Sequence, residues 1–147
     1  MSSVKTKEMG KVTTTIIVTN LVDQIMADRG FISADEIRSV TLENVLVDTG
    51  ASRLCLPAEI IAQLGLTIAG EVEVKTAVGT RKVRVFQGLK LSVEGREGTF
   101  NCVELPESED PLLGLIPLED LGLEPDLQNQ RLRLLPNEGK DTYLMVF

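Results

Sequence analysis

The chain has 147 residues, enough for one domain with its own core, and it carries a formal charge of −7 and no histidine. The acidic balance argues against nucleic acid or an anionic membrane surface as a partner, and the lack of histidine removes Ser-His and Cys-His nucleophile schemes and most zinc sites. Hydrophobic residues make up 43% of the chain but aromatics only 3%, so the expected core is aliphatic and no cofactor or metal is implied.

Met1 to Met9 is polar and charged and is expected to be a flexible leader, with one domain spanning residues 10–147. No apolar signal segment follows its charges, and no window of about 18 apolar residues occurs, so the cytoplasm is the expected location. Val12 to Val18 is rich in β-branched residues and predicts a strand. Asn20 to Arg29 predicts a short helix with Leu21, Val22, Ile25 and Met26 on its apolar face and Gly30 as its stop. Ser33 to Glu36 has the form of a capping box, followed by a second strand over Ile37 to Leu42. Val45 to Val47 and Leu54 to Leu56 read as strands on either side of a loop. Pro57 then opens a helix that Gly65 ends.

Alternation over Glu71 to Val74 and over Lys82 to Val85 predicts a hairpin with Ala77, Val78, Gly79 and Thr80 at its tip. The basic cluster Arg81-Lys82-Val83-Arg84 is expected on the exposed face of a strand rather than at a phosphate site. A further hairpin joins Leu89 to Val93 with Thr99 to Leu105. An acidic loop from Pro106 to Pro111 leads to a strand at Leu112-Leu113-Gly114, a helix from Pro117 to Gly122, and a turn and strand within Leu127 to Leu135. Gln63-Leu64-Gly65-Leu66 and Asp120-Leu121-Gly122-Leu123 echo each other, as if strand, loop and short helix occurred once in each half. Cys55 and Cys102 lie far apart in apolar runs and are expected to be reduced core residues. The terminal run Tyr143 to Phe147 has two readings, an edge strand on its own domain or a strand shared between subunits, and the second is favoured.

The stretch with chemistry is Asn44 to Leu56. Leu46 and Val47 run straight into Asp48, and a carboxylate placed directly behind a buried strand is costly unless something donates to it. Thr49 and Gly50 meet that need: a hydroxyl and the backbone N–H groups of a tight turn can reach the acid, and glycine lets the chain bend.

Leu46-Val47-Asp48-Thr49-Gly50-Ala51 resembles the active-site loop of retropepsin-like aspartic proteases, in which two apolar residues precede Asp, Thr or Ser, Gly, and Ala or Ser. Leu112-Leu113-Gly114 and the helix ending at Gly122 resemble the second signature of that family. The resemblance covers Val12 to Leu135. It implies an all-β fold with a few short helices, an acid-protease β-barrel forming one lobe per chain and assembled as a homodimer. It makes Asp48 catalytic, with Thr49, Gly50 and Ala51 supporting the loop. Ala77 to Thr80 becomes the tip of a flap over bound peptide, and Leu112, Leu113 and Gly114 become the segment passing beside the catalytic loop, with glycine leaving room. Ser52 and Leu115 depart from the Asp and Arg that many viral members carry at these places.

Peptide hydrolysis of this type needs two carboxylates on one water, one accepting its proton and the other donating to the peptide carbonyl. A chain with a single Asp-Thr-Gly must therefore pair with a second copy. A hydroxyl at position 51 would stabilise the charged carboxylate; alanine offers none, and a mildly acidic to near-neutral optimum is expected. An aliphatic cleft favours extended peptides with apolar side chains beside the cut bond. The alternative is a dimeric peptide- or protein-binding module with this fold that cuts nothing, although such a module has no need of Asp48. Phosphoryl transfer on the aspartate would need further acidic metal ligands, which the loop lacks.

Overall fold

The computed structural model describes residues 11–106 and 109–136. The expected leader and the terminal apolar strand lie outside the described residues. In chain order the elements are β1 (Thr13–Asn20), α1 (Leu21–Asp28), a 3-10 turn (Ala34–Glu36), β2 (Ser39–Val47), β3 (Leu54–Pro57), α2 (Ala58–Leu64), β4 (Thr67–Thr76), β5 (Gly79–Val93), β6 (Arg96–Leu105), β7 (Leu112–Leu113), α3 (Leu115–Leu121), β8 (Leu123–Asp126) and β9 (Arg131–Leu134). The fold is mostly β. Seven strands form one sheet in the order β1-β2-β7-β3-β6-β5-β4, and β1 also pairs with β5. That extra pairing closes the sheet into a barrel and leaves β4 outside as an edge, while β8 and β9 form a separate ribbon. No helix among the described residues is long and apolar enough to cross a membrane.

Alternation along the strands fills the barrel. Ile16 and Val18 from β1, Val45 from β2, Leu54 and Leu56 from β3, Leu89 and Leu91 from β5 and Leu113 from β7 are all buried. Ile61 and Leu64 of α2, Leu118 and Leu121 of α3 and Leu132 of β9 extend this core, in which Phe86 is the one buried aromatic ring among the described residues.

Several boundaries differ from expectation. The strands expected at Ile37 to Leu42 and Val45 to Val47 are one strand, β2. Its register against β1 shifts between Thr14 and Ile16, and Asn44 sits in that bulge at φ 59°. β5 likewise runs unbroken where two strands were expected; its register against β6 shifts between Phe86 and Leu89, around Gly88 at φ 82°. α3 begins at Leu115 rather than Pro117. Proline is tolerated there because first-turn N–H groups have no partner within the helix. The strand β8 was not foreseen.

The largest difference concerns α1. Its expected apolar face is turned out: Val22, Ile25 and Met26 are exposed, and the buried residue is Asp23. A charged group displaces hydrophobic ones because it has a full set of partners. Asp23 accepts from the Arg38 backbone N–H at 3.0 Å and from the Arg38 Nε and Nη2 at 2.8 and 3.1 Å. Asn20 caps the same helix by accepting from the Asp23 N–H at 2.9 Å, and its amide donates to the Leu64 carbonyl at 2.8 Å. The end of β1, α1, the start of β2 and the end of α2 are thus tied by polar side chains.

The halves repeat this device. α2 and α3 both end on a left-handed glycine, Gly65 at φ 64° and Gly122 at φ 70°. In each case a distant side chain takes the last carbonyls: Asn20 at Leu64, and the Arg96 guanidinium at Leu121 and Gly122, at 3.0 and 2.8 Å. Arg96 also donates to Leu135 at 2.6 Å, anchoring the chain beyond β9.

The Arg38 guanidinium beside Asp23 holds that carboxyl below the usual carboxylate range, chiefly through its side-chain hydrogen bonds and against the opposing effect of burial. Between the folded value and an unfolded value of about 3.9 the unfolded chain binds more protons, so stability falls as pH falls through this window. Urea midpoints of the wild type and Asp23→Asn should differ most at neutral pH, with the variant less stable. The gap should begin to narrow below about pH 4, the unfolded value, and close as pH falls through the lowered folded value, where the native carboxyl takes up its proton.

Candidate active site

β2 carries Asp48 to the rim of the barrel. It pairs with β7 in parallel, Leu46 beside Leu112 and Val47 beside Leu113, and the Asp48 N–H continues the ladder by donating to the Leu113 carbonyl at 3.0 Å. The chain then turns sharply. The Ala51 N–H donates to the Asp48 carbonyl at 3.1 Å, and the Gly50 N–H donates to the Asp48 carboxylate at 2.9 Å. Asp48 is half-buried while Thr49 and Gly50 are exposed, so the carboxylate stands on a hydrogen-bonded turn facing solvent.

The far side of this loop lies on Gly114. The Leu115 and Ile116 N–H groups donate to the Ala51 and Ser52 carbonyls at 2.8 and 2.9 Å. A Cβ on Gly114 would sit 2.7 Å from the Arg53 backbone N and 2.8 Å from the Ala51 carbonyl oxygen, and closer still to the Arg53 carbonyl oxygen. Leu112 is half-buried and Leu113 fully buried beneath the loop. The structure thus brings together Asp48, Thr49, Gly50, Ala51, Leu112, Leu113 and Gly114.

The hairpin residues are placed by another route. Ala77 and Val78 form a two-residue turn between β4 and β5, and Gly79 and Thr80 already belong to β5, paired with Thr76 and Lys75. The tip is therefore shorter than the four residues expected. Val78 is 97% exposed, an apolar side chain held out at the end of a ribbon.

Sequence reasoning missed the wall between these two parts. Partners in a ladder share a face of the sheet, as do alternate residues along a strand. Cys55 is in register with Val103, Val103 with Val85, and Val83 with Val72. These residues line one face from the Asp48 loop to the hairpin. Val85 and Val103 are buried, Val83 is half-buried and Val72 is exposed, so the strip opens toward the hairpin. Cys55 was expected in the core and is instead half-buried, its thiol 3.6 Å from the Arg53 carbonyl. Burial and then the Asp48 charge push this thiol up. Cys102, on the core face, is pushed up to about 12, mainly by burial. Both cysteines are free. The alternation of β5 was visible in the sequence; that it continued the face of Cys55 depended on the register. Among the described residues no group of three His, Cys, Asp or Glu side chains is placed to hold a metal ion.

Gly114→Ala should destabilise the domain by at least about 2–3 kcal/mol, the upper range for overpacking, because the obstruction is backbone on both sides. Chemical denaturation measures this directly, and a cost below about 1 kcal/mol would show that the crossing is loose.

No curated protein matches the chain. Residues 36–120, which hold Asp48, the hairpin, the wall, the Gly114 crossing and most of α3, match the family described as gag-polyprotein putative aspartyl protease. That match spans more than half of the sequence, and the chain belongs to this retropepsin-like aspartyl protease family.

Proposed function

We propose that the protein is an aspartic endopeptidase that acts as a homodimer, with Asp48 of each subunit on a single water. The observation that carries this reading is the setting of Asp48: one carboxylate per chain, held by the Gly50 N–H on a solvent-facing turn that is locked to β7. One such carboxylate is half of a general acid–base pair. A two-fold axis beside the exposed Thr49-Gly50 edge would supply the other half. In the pair, one carboxylate takes the water's proton as the oxygen attacks the peptide carbonyl. The other, protonated, donates to the carbonyl oxygen and later helps the amine leave. The proton is shared because two adjacent carboxylates resist joint ionisation, a behaviour for which aspartic proteases are themselves the standard example. Thr49 would bond across the axis to the partner's loop. The β4–β5 hairpin would close over the peptide, with Ala77 to Thr80 against it. The strip of Cys55, Val103, Val85 and Val83 would receive apolar side chains next to the cut bond. Peptide or protein is the substrate in this reading, with neither nucleic acid nor membrane as a partner.

Incubating a diverse peptide mixture with wild type and Asp48→Asn from about pH 4 to 7.5, around and above the ordinary Asp value, and reading the products by mass spectrometry tests this. Wild type should cut beside apolar residues, and the variant should lose at least about a hundredfold in rate. Sedimentation of both should show dimers. A folded dimer that cuts nothing at any pH would favour a binding module instead.

A further inference from the structure

The apolar strip does not end on another apolar residue. Two residues from Val83 toward the hairpin tip, the same face carries Arg81, opposite Val74. Arg81 is exposed, and among the described residues it has no ion-pair partner. The alternate residues Lys82 and Arg84 belong to the other face, where with Glu104, Leu105 and Pro106 they line a cavity of about 290 Å³ that Arg81 borders. The charges in it are not equivalent. Arg84 and Glu104 form a two-point pair at 2.7 Å on each arm, and the Arg84 guanidinium lies over the Phe86 ring at 5.5 Å, so both are committed. Lys82 stands across the ladder from Glu73, which partly answers its charge. Arg81 faces valine. In a chain of net charge −7, this is a local inversion of sign at the open end of an apolar strip.

We infer that Arg81 selects peptides carrying an acidic side chain at a fixed distance from the bond held at Asp48. This rests on the peptidase reading above and gives it a substrate class. Two inter-strand steps of about 4.8 Å and four residues of about 3.3 Å separate Cys55 from Arg81 along the sheet, roughly 16 Å. With the reach of an arginine subtracted, that corresponds to an acid roughly three to five extended residues from the peptide residue next to the cut bond whose side chain sits at Cys55. An arginine fork suits a carboxylate better than an ammonium does, which makes Arg81 the selector.

The test starts from the best peptide cut in an Asp48-dependent manner. Glu, Gln or Lys is placed at each position from three to five residues on either side of the bond. kcat/KM is then measured at low and high salt for wild type, Arg81→Lys, Arg81→Gln and Arg81→Glu. At one position Glu should be favoured over its isostere Gln by about two- to fivefold, the range for a solvent-exposed pair. The ratio should shrink toward one at high salt. It should persist in Arg81→Lys, vanish in Arg81→Gln and turn in favour of Lys in Arg81→Glu. Equal rates for Glu and Gln in wild type, or a Glu preference that survives in Arg81→Gln and Arg81→Glu, would overturn the inference. Asp48-dependent cleavage without a Glu preference removes this inference alone, whereas no Asp48-dependent cleavage of any peptide removes the peptidase reading and this inference with it.

Discussion

The crossing of the Asp48 loop over Gly114 is the constraint on which the rest of the molecule depends. Two backbone segments meet there at a distance that excludes a Cβ. The closeness resolves two problems at once. A helix start leaves N–H groups without partners, and a tight loop leaves carbonyls without partners. α3 has no side-chain cap at Gly114, and its first amides, those of Leu115 and Ile116, donate to the carbonyls of Ala51 and Ser52. The helix is capped by the loop and the loop is held by the helix. Asp48, at the loop's start, inherits its position from β2 on one side and from this exchange on the other.

A second recurring device is the repetition of strand, short helix and left-handed glycine in the two halves. Helices of seven residues are too short to be stable alone and must draw on tertiary contacts. Each buries two or three apolar side chains in the barrel and ends on a glycine whose neighbouring carbonyls are taken by a side chain from elsewhere: Asn20 for α2, Arg96 for α3. These polar ties run between elements far apart in sequence and fasten the barrel's ends. They leave the rim that carries Asp48 open to solvent.

The open rim and the sheet face beside it form a graded surface. It begins at a carboxylate, continues through Cys55, Val103, Val85 and Val83, and ends at Arg81 on the hairpin. Burial first, and then neighbouring negative charge, Asp48 for Cys55 and Glu104 among others for Cys102, push both thiols up and keep them protonated. The cysteines therefore behave as small apolar groups here, and the acidic and basic residues of this face, Asp48 and Arg81, stand at its two ends.

Features that act over a few residues were legible in the chain. The Asp-Thr-Gly triplet between apolar runs, the glycines that stop α2 and α3, the capping box at Ser33 and Glu36 and the alternation of the hairpin strands all depend on neighbours close in sequence. Features decided by distant partners were not. The stripe of Leu21, Val22, Ile25 and Met26 has the spacing of a buried face, yet α1 buries Asp23, because Arg38 lies where it can hold that carboxylate. Gly88 resembles a break between strands, yet β6 absorbs it as a bulge and β5 continues. The strip from Cys55 to Val83 is legible in neither segment alone, since it arises from the register of β3 on β6 and of β6 on β5. Sequence alone thus determined which chemical groups the loop carries and where α2 and α3 stop, because local conformational preference governs both. Tertiary structure decided which face each element buries and what surrounds Asp48, because those depend on contacts between residues far apart along the chain.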